Sequence, residues 1–455
     1  MQRSVFKSIW SFSVLWLFII ITMALVNPFE ARCKFNPIKY EVDSLENGLK
    51  VIYSVDKTAP IVATVVHYKV GSRDEDPQHT GYAHFFEHLM FEATENIPRA
   101  SIDKYVQEAG GTLNAHTSYD ETVYYFKLPS NYLNLALWIE SQRMRKLKVD
   151  SVGVNTQKGV VIEELRMRYE NQPYGTMLMK MSERLFGGTS YGWATIGYIE
   201  HLEKATIDDF KGFYDNFYKP NNAILVIVGD IDIPEAKKLV RQYFGIYPPS
   251  EPPVRHNFNL LPLEKSYEEV VNDPKAQLPA VFIGFRGPKI GEPDYYAMSI
   301  LSDILANGES SRLYQRLVDK EQVAVAASMF PLPLEYAGGI IFYAVAHPNK
   351  SLKKIKDIIF EEIQKIAKDG ITDEELTKAK NITETQFIME KKNVLEKAEV
   401  LAKYQAYFNN PSLINTELDK YLAVTKDDIR RVAQKFLSSN AHNVTLFYHP
   451  NGYSD

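Results

Sequence analysis

The segment Tyr247–Phe258, YPPSEPPVRHNF, places four prolines in six positions and splits the 455-residue chain into halves that echo one another. On its near side, VATVVHYKVGSRDEDPQHTGYAHFFEHLMF runs strand, acid–proline pair, helix; on its far side, AVFIGFRGPKIGEPDYYAMSILSDILANG repeats that order. FYDNFYKPNNAILVIVGD likewise has a counterpart in VAQKFLSSNAHNVTLFYHP near the C-terminus. A chain this long exceeds one ordinary core, so the duplication predicts two similar α+β domains. The expected division is residues 36–246, a proline-rich linker over 247–262, and residues 263–455.

The first 35 residues stand apart. Arg3 and Lys7 precede Phe12–Val26, an almost unbroken apolar run whose length lies between a signal-peptide core and a short membrane span. We read it as a bacterial-type export signal that is removed, with an uncleaved membrane anchor as the alternative, which predicts a periplasmic or cell-envelope location. Cys33 is the single cysteine, so no intrachain disulfide forms and stability must come from apolar cores. A net charge of -5, with acids and bases interspersed, carries no polyanion-binding signature and argues against a nucleic-acid partner.

GYAHFFEHLMFEAT, Gly81–Thr94, places two of the ten histidines one helical turn apart, with Thr80 as the expected helix N-cap. On a helix, His84 and His88 at i and i+4 project from one face and can grip one ion. Glu87 flanks the pair, a placement suited to a general base that acts on the attacking water in metal-assisted hydrolysis. Phe85, Phe86, Leu89 and Met90 cover the remaining faces and would keep such a site dry. A lone histidine in an apolar stretch is more often a packed core residue, but the His-x-x-Glu-His triplet carries the spacing that metal hydrolysis needs. The second half has SILSD at the matching place, so the chemistry belongs to the first half. A catalytic zinc takes three protein ligands and leaves one position open. GVVIEELRMRYE offers Glu163, Glu164 and Glu170 on a helix, and periodicity alone does not choose between Glu163 and Glu164.

Taken together, these motifs resemble the pitrilysin-type (inverzincin, M16) metallopeptidases, and the match runs through nearly everything after residue 38. In that family the third ligand lies some seventy-five residues beyond the motif; here 164 − 88 = 76 selects Glu164 and leaves Glu163 an outer-shell or surface role. GGTLNAHTSYDETVYYF is similar to the family's edge strand, where Asn114 and Ala115 would bind an extended peptide through main-chain hydrogen bonds. The resemblance implies the pitrilysin/LuxS-like metallohydrolase fold, in which each domain is a mainly antiparallel sheet flanked by helices. It also implies one zinc per chain and an enclosed chamber that admits unfolded peptides.

Two departures bear on activity. An extra acidic residue found in some members is replaced here by Gln157. The arginine–tyrosine pair that stabilises the oxyanion in active members falls on Val318 and Val325, neither of which donates a hydrogen bond. Arg312, Tyr314 and Arg316 lie nearby, at spacing that reads as an ordinary amphipathic helix. The chain therefore resembles the zinc-bearing subunit of the short bacterial members, with an M16-like partner supplying the missing pair in a heterodimer. The alternatives are a self-sufficient homodimeric peptidase and a non-catalytic scaffold or assembly subunit.

Overall fold

The computed structural model describes residues 36–438 and 441–453; the export segment expected over residues 1–35 lies outside them. Short apolar runs bounded by turn residues fold into eleven strands among the described residues. The first six are β1 (Glu41–Ser44), β2 (Lys50–Val55), β3 (Ile61–Tyr68), β4 (Thr112–Thr117), β5 (Thr122–Pro129) and β6 (Ala223–Gly229). They form one sheet in the order β1-β2-β6-β3-β5-β4. The others are β7 (Tyr267–Asn272), β8 (Ala280–Gly287), β9 (Ala324–Pro333), β10 (Gly338–Ala346) and β11 (Asn443–His449), in the order β7-β11-β8-β10-β9. In each sheet one neighbouring pair is parallel, β2 with β6 and β7 with β11, and every other pair is antiparallel. The repeat in the sequence is thus a repeat of topology over five strands, β1 having no counterpart in the second sheet, and the α+β class follows from helices packed on both sheets.

Central strands such as β6, AILVIVG, are buried at every position, so both faces of a sheet need cover. Each half covers one face with its own helices and borrows the cover of the other. Met181, Leu185 and Phe186, on the Met177–Phe186 helix of the first half, pack against Phe282, Ile341 and Leu446 of the second sheet. In exchange, Ala398, Leu401 and Ala402, on the Val394–Phe408 helix of the second half, pack against Val65, Val226 and Val228 of the first sheet. The two halves therefore share cores.

Residues 248–264 carry no regular secondary structure, but the segment is fastened. Arg255 pairs with Asp74 and donates to Asn222 Oδ1 at 2.9 Å. A second clasp joins the halves where buried Arg73 pairs with Asp120 (3.4 Å) and with Glu335 (2.9 Å) on the turn between β9 and β10.

Candidate metal centre

The helix Tyr82–Leu89 carries the motif. Its Phe85 ring stacks on Phe210 at 4.3 Å, Phe86 lies in a cluster with Phe213, Tyr214 and Tyr218, and Tyr124 donates its hydroxyl to the Phe86 carbonyl at 3.0 Å. These contacts fix the rotation of the helix, which turns His84, Glu87 and His88 to its other side.

Thr80 does not cap the helix as expected. Its hydroxyl is taken by His201 Nδ1 (2.8 Å) and by the N–H of Tyr198 (3.1 Å). The cap residue is Gly81, at φ 90°, where a Cβ would meet the Ile196 carbonyl oxygen at 2.6 Å. The orphan N–H groups are satisfied from a distance: the buried Glu75 carboxylate accepts from Gly81 N and Ala83 N, both at 2.8 Å, and from the Trp193 indole at 3.0 Å. Burial pushes the Glu75 carboxyl upward, and the three donors pull it back toward the ionised form that accepts from them.

Glu164 sits near the end of the Ser151–Leu165 helix, which packs against the motif helix. Its Oε2 lies 3.0 Å from His88 Nε2 and 3.7 Å from His84 Nε2. The three ligand atoms of His84, His88 and Glu164 all fall within 4.8 Å of one another, and among the described residues they are the one such cluster of three potential metal-binding side chains. Two imidazole nitrogens and one carboxylate oxygen are the donor set of a catalytic zinc, whose fourth position is taken by water or substrate. The electrostatics agree. Burial holds the His84 imidazole down at about 4, so it is neutral and offers its lone pair at neutral pH. Glu164 is held below the ordinary carboxylate range, chiefly by its hydrogen bond to His88.

Glu87 is half-buried beside the cluster, and burial pushes its carboxyl upward while the Thr117 hydroxyl at the end of β4 pulls it down. Glu163 is turned to solvent and pairs with Arg166, so it does not serve the cluster as an outer partner; one residue is about 100° of helix, which carries it off the face of Glu164. Glu170 is also exposed. The group that does touch Glu164 from outside is Arg168, whose Nη1 lies 2.9 Å from Oε1.

Asn114 and Ala115 lie on β4, the edge strand beside the motif helix, whose outer side has no strand partner among the described residues. Asn114 Oδ1 accepts the outward N–H of Ala115 at 2.9 Å, so the edge is capped by its own side chain. Gln157 donates its Nε2 to buried Glu92 at 2.7 Å. A carboxylate at position 157 would face Glu92 with like charge, which gives a physical reason for the amide.

The oxyanion donors are missing from the expected place. Val318 packs against the second-half core and Val325 is exposed on β9. Arg312 is engaged by Glu375 at 2.6 Å, and Arg316 by Glu321, Glu361 and Glu362.

A duplicated α+β chain that presents His-x-x-Glu-His on one helix and a glutamate on a second defines a class, the pitrilysin-type metallopeptidase architecture. Residues 50–197 match the family described as Insulinase (Peptidase family M16), and residues 204–383 the one described as Peptidase M16 inactive domain. Zinc protease PqqE of Helicobacter pylori is 30% identical over 345 residues, 75% of this chain and 78% of that protein. The crystal structure of a protease from Helicobacter pylori matches with a TM-score of 0.86 at 29% identity, covering 91% of this chain and 100% of that one. The periplasmic protease PqqL from Escherichia coli shares the fold, with a TM-score of 0.76 at 21% identity, over 91% of this chain and 48% of that longer one. The chain belongs to peptidase family M16.

Proposed function

We propose that this chain is a zinc-dependent endopeptidase acting on unfolded peptides, and that it works as the catalytic subunit beside a partner of the same fold. The observation that carries the reading is the convergence of His84, His88 and Glu164 within 4.8 Å, with Glu87 alongside and the free edge of β4 adjacent. One zinc held by the three side chains would supply a Lewis acid for the scissile carbonyl and activate the attacking water. An extended peptide adds to β4 by main-chain hydrogen bonds, with the Ala115 N–H released from Asn114 to the peptide. Glu87 takes a proton from the attacking water and returns it to the leaving amine nitrogen.

The valines at 318 and 325 support the two-subunit form, because an oxyanion without its donors costs on the order of a hundredfold or more in rate. A partner that supplies the donors across an enclosed chamber completes the site. The Escherichia coli chain, about half of which this chain covers, supports a pairing of two such units. The same valines favour a second reading, a non-catalytic scaffold subunit; a homodimer using other donors is a third. The apolar segment Phe12–Val26 supports export to the periplasm or envelope.

Metal analysis and cleavage of an unstructured fluorogenic peptide separate these readings. A catalytic subunit holds about one zinc per chain, gains activity when mixed with an M16-type partner carrying the arginine–tyrosine pair, and loses about 10²–10⁴-fold with Glu87→Gln at unchanged zinc content. Zinc-free protein, or a Glu87→Gln form as active as wild type, sinks the peptidase reading. Full activity without a partner sinks the two-subunit form alone.

A further inference from the structure

We propose that Arg168 is the positioning residue of the metal centre: it holds one oxygen of Glu164 so that the other faces the two imidazoles. The assignment rests on the zinc-site reading above and on how the two carboxylate oxygens are divided. Oε2 lies nearest His88 Nε2 (3.0 Å) and His84 Nε2 (3.7 Å), while Oε1 forms an ion pair with Arg168 Nη1 at 2.9 Å. The terminal torsion of a glutamate is soft, so an unpartnered carboxylate rotates freely between one-oxygen and two-oxygen presentations. A guanidinium on one oxygen removes that freedom, as outer partners of metal ligands generally do.

Two further observations separate this contact from an ordinary surface ion pair. Residues Arg166–Glu170 form a π-helical turn directly after the ligand, closed by Asn171 N to Arg166 O at 2.7 Å, and such turns gather at functional sites. The same turn supplies a control in Arg166, which pairs with Glu163 where both side chains face solvent. Arg168 is itself 71% exposed while Glu164 is 15% exposed, so the pair adds little to stability. Orientation of the ligand is what it can accomplish. The opposing effect is repulsion between the guanidinium and a bound cation. The exposed position of Arg168 screens that repulsion, so orientation wins.

The test is zinc affinity of the full chain by competition with a chromophoric chelator, together with melting of the metal-free forms. Arg168→Gln is expected to bind zinc about tenfold more weakly, Arg168→Lys to recover part of the loss, and Arg166→Gln to stay within about twofold of wild type. All metal-free forms should melt together. Arg168→Gln binding as tightly as wild type, or more tightly, overturns the assignment. So does an equal loss in Arg166→Gln, or a lowered melting temperature of metal-free Arg168→Gln. Wild-type protein that binds no zinc removes the centre itself, and with it the peptidase reading; loss confined to the comparison of variants leaves that reading standing.

Discussion

Glu164 Oε2 stands 3.0 Å from His88 Nε2, whereas the preceding glutamate, Glu163, stands in solvent against Arg166. The two carboxylates, adjacent in sequence, should therefore respond oppositely to the same change. Glu164→Gln is expected to lose bound zinc in metal analysis. Glu163→Gln should keep it and change unfolding free energy by no more than about 0.5 kcal/mol. Equal zinc content in the two variants would refute the ligand assignment.

The start of the motif helix depends on Glu75, a buried carboxylate with three N–H donors on its two oxygens. Glu75→Ala leaves those donors without an acceptor, and the expected destabilisation is about 2–3 kcal/mol by urea unfolding. Glu75→Gln should fall between the two, since its amide presents a donor where an acceptor is required. A Glu75→Ala protein as stable as wild type would show that water replaces the cap.

Acid sensitivity of the metal-free protein should trace in part to His67, as well as to the similarly buried His84; His67 lies on β3 with its Nε2 3.6 Å from Glu121 and its ring edge-on to Tyr407. Burial pushes this imidazole from 6.5 down to about 4, against the pull of Glu121. The folded chain thus binds the proton more weakly than the unfolded chain. Its contribution to stability is complete above pH 6.5 and falls as pH drops toward 4, by roughly 3 kcal/mol. Urea unfolding of the metal-free protein across this window should give a flatter profile for His67→Gln than for wild type. Parallel profiles would mean another group sets the acid limb.

Peptide capture by the β4 edge can be probed at Ala115, whose N–H faces outward to Asn114 Oδ1. Ala115→Pro deletes that donor without breaking the ladder to β5, because proline is tolerated on the free side of an edge strand. Losing one main-chain hydrogen bond of about 1 kcal/mol predicts a KM about fivefold higher with kcat nearly unchanged. An unaltered KM would place the peptide elsewhere.

Much of this was legible in the chain itself, because it rests on local geometry. The spacing of His84, Glu87 and His88 fixes their shared helix face, the alternating and apolar runs give the strands, and the repeat around YPPSEPP announces two sheets of one topology. Arg168 was within reach too, since i, i+4 from Glu164 is a helical neighbour. What only the tertiary structure decided involves partners far apart in sequence. Thr80 has the right chemistry for a cap, yet His201 and Tyr198 claim it and Glu75 takes its place. The exchange of the Met177–Phe186 and Val394–Phe408 helices was equally invisible, because an apolar stripe records that a face must be buried and carries no record of which sheet buries it. Local spacing sets which side chains can act together, and long-range packing sets which ones meet.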